Sequence, residues 1–145
     1  MQTFLPVANF VESVKILDWR RLNKQRVEAR QIYDILNGKV NRWVNHPTVQ
    51  MWIGYKNALA QYHNECIKEW VKRGYQNNMP YLSVFAVCEQ RTQYEIPWWF
   101  GMKEFHDSHK ASLLAKNPSW YKQFNWDVEP KIEYIWPSKL RRAFL

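Results

Sequence analysis

Between residues 10 and 37 apolar side chains recur with a helical period, and that stretch limits the folds open to this chain. With Arg20 set at zero and about 100° per residue, Val11, Val14, Leu22, Ala29, Ile32, Tyr33 and Leu36 gather between roughly 120° and 220°. On the other side Gln31 falls near ~20°, Lys24 near ~40°, Glu28 near ~80° and Arg21 near ~100°. Arg20, Arg21, Lys24 and Arg26 stand within one short run. One face is therefore core, and the other is a cationic stripe holding a carboxylate. Most charge runs are solvated helix faces. A helix facing phosphate is the sharper reading, and the rest of the chain has to decide between them.

The punctuation around this stretch predicts an all-α fold. Asn9 followed by Glu12 reads as a helix start and Asn37-Gly38 as a stop, giving a first helix from about residue 10 to about 37. Asn45-His46-Pro47 opens a second, with Pro47 at the first helical position. Val49, Trp52, Ile53, Leu59, Tyr62, Cys66, Ile67, Trp70 and Val71 continue it to Lys72-Arg73-Gly74. Two long antiparallel helices joined by a short loop follow. Leu82–Val87 reads as a short strand or a buried helical turn, and Pro97–Gly101 as an anchored loop. A third, shorter helix is expected from about Glu104 to Ala115, then a short turn after Asn117-Pro118.

The 145 residues suit one domain, 1–145, with a basic tail over 138–145. No apolar run approaches the ~20 residues of a membrane span, and no secretory leader is visible. A soluble, cytoplasmic monomer without a membrane partner is expected. Cys66 and Cys88 lack metal-ligand spacing and read as free thiols, with a disulfide as the alternative. A net charge of +8 favours a polyanionic partner, and nine Trp, eight Tyr and seven Phe add weight to nucleic acid.

Several stretches then appear in a familiar order. They are Met1–Pro6, Leu17–Leu22 with Lys24–Glu28, Asn45-His46-Pro47 and Met51–Tyr55. Glu69–Tyr75, Phe105–His109 and Trp120-Tyr121-Lys122 complete the set. On these the chain resembles the pyrimidine-dimer DNA glycosylase/AP lyase family, and looks closest to its bacterial branch. The resemblance implies a compact α-helical repair enzyme that needs no metal or organic cofactor. Its partner would be double-stranded DNA carrying a damaged or modified base. In that chemistry an N-terminal α-amine attacks the sugar C1′, expels the base, forms an imine and cuts the strand by β-elimination. An α-amine suits the task because its pKa of ~8 leaves a neutral fraction at pH 7, unlike a lysine near ~10.4. The large Gln2 should keep Met1 in place, so Met1 would supply the amine.

The family's catalytic glutamate follows an arginine on the first helix. The matching run here is Trp19-Arg20-Arg21-Leu22, with Arg21 where the acid stands in the family. A carboxylate is still needed to stabilise an oxocarbenium and to move protons. Glu28 is the preferred candidate and Asp18 the other, placed nearer the apolar side, where it would want a partner such as the amine. The resemblance assigns Arg20 and Lys24 to the DNA backbone, with Gln25 beside them. His46 would lie near the site, or else cap its helix. His106 and His109 read as phosphate contacts or core hydrogen bonds, since two histidines do not make a metal site. Trp120, Tyr121 and Lys122 would lie along DNA, with core packing of Trp120 as the alternative. A basic nucleic-acid-binding module without catalysis, and a helical protein-interaction domain, are the competing functions.

Overall fold

In the computed structural model residues 1–84 and 96–139 are described, and every regular element among them is helical. The helices are α1 (Phe10–Ile16), α2 (Trp19–Leu36), α3 (Pro47–Met51), α4 (Lys56–Lys72), α5 (Lys103–Lys116) and α6 (Pro118–Tyr121). A single 3-10 turn, Lys122–Phe124, follows α6. The two longest, α2 and α4, pack on each other, and α1 also lies against α4. No helix among the described residues is long and apolar enough to cross a membrane.

Local chemistry accounts for the boundaries. Asn9 caps α1 by accepting the Glu12 N–H at 2.9 Å. Gly38 takes φ 106 just past the end of α2, a conformation that a side chain would strain. His46 caps α3 through Nδ1, with Pro47 at its first position. Asn117 caps α6 in the same way, accepting from Trp120 N. The loop at Pro97–Gly101 is anchored as expected: Trp99 is fully buried and its indole donates to Met51 O at 3.1 Å.

Both long helices of the sequence reading are interrupted. The first breaks where Leu17 and Asp18 take extended backbone, with ψ of 137° and 162°. Leu17 is fully buried there, and the Asp18 carbonyl accepts the first bond of α2, from Leu22 N–H. α1 thus leaves the register of α2, which is why Val11 is 40% exposed despite falling on the apolar side of a continuous helix. The second breaks between Met51 and Lys56, where Gly54 adopts φ 89. The connection between α2 and α4 is accordingly no short loop but residues 37–55 with α3 inside it. Leu82 to Val84 have no regular structure, whereas Phe85 to Val87 and Cys88 lie outside the described residues. Cys66 is a buried free thiol whose pKa burial pushes well up.

The N-terminal segment determines what else these helices do. Gln2 to Pro6 are buried without regular structure, so their backbone groups need partners that no ladder supplies. Side chains from α2, α4 and α5, together with Gln2 itself, provide them, and Thr48 of α3 holds Met1 O.

Candidate active site around the N-terminal segment

Each amide from residue 2 to residue 5 is met by a side chain. Gln2 N–H donates to Glu28 Oε2 at 2.9 Å, Thr3 N–H to Gln2 Oε1 at 2.8 Å, and Phe4 N–H to Gln25 Oε1 at 2.7 Å. Leu5 N–H donates to His109 Nδ1 at 2.9 Å. The carbonyls are held as well: Thr48 Oγ1 donates to Met1 O at 3.1 Å and Tyr62 OH to Phe4 O at 2.8 Å. Trp52 Nε1 donates to Thr3 Oγ1 at 3.1 Å. A segment fastened at this many points holds Met1 in one place.

That place is the wall of a cleft of about 520 Å³ lined by Met1, Gln2, Phe4, Arg20, Arg21, Lys24, Gln25 and Glu28, with Lys116, Ile132 and Tyr134 also lining it. Arg20 and Lys24 are exposed, as the helical projection anticipated. Among the described residues, four cationic side chains thus share the cleft with one carboxylate, Glu28. The arrangement attracts a polyanion and keeps a carboxylate beside the N-terminal residue.

Asp18 is spent elsewhere. Its carboxylate is buried, accepts from the Tyr121 hydroxyl and pairs with Arg21 Nη1 at 3.2 Å. The partners expected of the amine are thus Tyr121 and Arg21. Burial and then the Asp18 carboxylate hold the Tyr121 phenol well above its usual range. Arg21 reaches the cleft as an arm fixed by Asp18.

His46 does two things at once. Its Nδ1 accepts Thr48 N–H at 3.0 Å, so a neutral ring carries its proton on Nε2. Burial, then the nearby N-terminal ammonium, lowers its pKa. Trp43 and Trp136 meet the ring in T-shaped contacts, with ring centroids 5.6 and 5.7 Å away.

Four of the side chains expected on DNA are turned inward. Gln25 is 1% exposed, and its Oε1 also accepts from Tyr62 OH at 2.8 Å. His106 and His109 clamp one residue between them: His106 Nδ1–H donates to Leu5 O at 2.7 Å while its Nε2 accepts Gly101 N–H at 2.9 Å. Both rings are neutral in these roles; burial lowers the pKa of His106 and pushes that of His109 down to about 3. Tyr121 is fully buried, stacked at 5.7 Å on Trp126. All four are committed to internal bonds or packing, which removes them from a DNA surface. Trp120 is 38% exposed with its indole donating to Ile16 O at 2.8 Å, and Lys122 is exposed. No local signal in the sequence marks Thr48, Lys116 or Tyr134, and the helical pattern marks Tyr62 only as a core position. The bulk of Gln2 is the one property of it that the sequence brings to the site.

The profile of the family described as pyrimidine dimer DNA glycosylase matches residues 1–83. The chain belongs to the pyrimidine dimer DNA glycosylase family. Neither a curated protein nor a solved structure matches it. The family match takes in Met1, Gln2, α2 and α3, whereas His106, His109, Lys116 and Tyr134 lie beyond it. The segment outside the match therefore completes both the clamp on Leu5 and the lining of the cleft.

Proposed function

We propose that this member of the family is a DNA glycosylase with AP lyase activity whose nucleophile is the Met1 α-amine. One observation carries the reading: the backbone of Gln2 is bonded to Glu28 at 2.9 Å, which seats the amine-bearing residue beside a carboxylate in a cationic cleft. Duplex DNA bearing a pyrimidine dimer, with the lesion or its partner turned out of the stack, is the substrate. Arg20, Lys24 and Lys116 take backbone phosphates.

The neutral amine attacks C1′, and the C1′–N bond breaks with its electron pair leaving on the base, which takes up a proton. Glu28 stabilises the positive charge that develops on the sugar and accepts a proton from the new ammonium. The C1′–O4′ bond then opens to an imine with O4′ protonated. Loss of a C2′ proton expels the 3′ phosphate and cuts the strand. Holding Met1 by its neighbours supplies the orientation that makes such an attack fast.

Borohydride provides the test, because it reduces the imine to a stable amine. A covalent adduct on abasic duplex DNA is expected, mapping by peptide mass to residue 1 and absent from protein acetylated at its N-terminus. An adduct that survives acetylation moves the nucleophile to a lysine, with Lys24 first. Arg21, standing where the family has its acid, favours a second reading as a DNA-binding module without catalysis. Strongly salt-dependent binding with no adduct and no cleavage would establish that reading instead.

A further inference from the structure

Gln2 holds a polar group that nothing among the described residues satisfies. The residue is only 5% exposed, and Nε2 has no hydrogen-bond partner among the described residues. The amide cannot be turned over to relieve this, because Oε1 accepts Thr3 N–H at 2.8 Å and a nitrogen there would oppose donor to donor. Leaving a buried donor unpaired is unfavourable, so such groups have an explanation or a partner to come. Gln2 also lines the cleft, and its own backbone N–H is the one bonded to Glu28.

Resting on the proposed function, we infer that Gln2 Nε2 is the base-recognition donor of the site, and that its partner is the O2 carbonyl of the pyrimidine being expelled. The chemistry of the neighbourhood favours this partner. Met1 nitrogen bonds to C1′, and in a pyrimidine O2 lies next to the ring nitrogen that leaves C1′. The residue after Met1 is therefore placed to meet O2 as the sugar is drawn in. When the C1′–N bond breaks, the electron pair spreads onto O2, and a donor there strengthens as the bond lengthens. Nε2 is covered in the free protein, so the cleft has to open at Gln2 for O2 to reach it, and the bond is made only with the substrate in place.

The role separates the two chemical steps, because an abasic site has no O2. Gln2→Glu keeps an acceptor for Thr3 N–H and replaces the donor, whereas Gln2→Met removes both. Both residues are large, so Met1 stays in place. Single-turnover rates are measured on two duplexes of one sequence, carrying a cis-syn thymine dimer or a pre-formed abasic site. For both variants the dimer rate should fall about tenfold further than the abasic rate. Equal losses on the two duplexes, or a Glu variant that matches the parent while Met does not, would assign Gln2 to holding Thr3 and overturn the inference. A parent protein that forms the abasic adduct but leaves the dimer intact overturns it too, with the amine mechanism standing. Failure of the adduct itself brings down both.

Discussion

Replacing His109 with Gln should flatten the dependence of stability on pH. In the folded protein the His109 ring is fully buried, accepts Leu5 N–H at Nδ1 and has its pKa pushed down to about 3. In the unfolded chain the imidazole titrates near its ordinary value of ~6.5. Between these values the unfolded chain binds a proton that the folded one does not, so stability falls as pH falls through 6.5 and is fully present above it. From pH 6.5 to pH 5 is 1.5 units, and at about 1.36 kcal/mol per unit His109 alone removes about 2 kcal/mol. His106 and His63, both lowered chiefly by burial, act in the same direction. Their share is present in parent and variant and drops out of the difference. Gln can still accept Leu5 N–H but does not titrate, so its absolute stability is lower while its slope is shallower. Urea unfolding followed by tryptophan fluorescence at pH 7, 6 and 5 reads the slopes directly. Parallel profiles would refute the reasoning, since they would mean that His109 is no harder to protonate folded than unfolded.

Other outcomes follow from the cleft. Glu28→Gln preserves an acceptor for the Gln2 amide and removes the charge, so lyase turnover on abasic DNA should fall by about 100-fold or more with little change in affinity; an unaltered single-turnover rate would exclude the carboxylate. Lys24→Ala and Lys116→Ala should each weaken binding to any duplex and lower the slope of log K against log salt by about 1, which fluorescence anisotropy over a salt series measures.

Helix starts and stops were legible because they depend on neighbours in sequence: Asn9, His46-Pro47, Gly38 and Gly74 all act where the spacing put them. The breaks were harder. A helical period survives a gap as short as Leu17-Asp18, so α1 and α2 read as one. Gly54 did carry a signal, a glycine inside an apolar run, but the run continued past it. The cationic face of α2 was legible for the same periodic reason. Gln25, expected on DNA beside Arg20 and Lys24, is buried instead; at ~140° on the Arg20 scale it lies on the core side. His106 and His109 could not be resolved this way. Their partner is the backbone of Leu5, some hundred residues earlier, and no pattern in sequence encodes a bond to a main chain that far away.

That separation also sets a schedule for synthesis. Leu5 leaves the ribosome early, but its amide and carbonyl wait for a pair of imidazoles 104 and 101 residues downstream. Until α5 has emerged, the opening segment lacks its distal fastening, and contacts so far apart in the chain close late. A nascent or truncated chain ending before Lys103 would display α2 with its basic face while leaving Leu5 unclamped. The basic face of α2 is thus complete ahead of the cradle for the first residue, and the last third of the chain supplies both the clamp on Leu5 and Lys116 of the cleft.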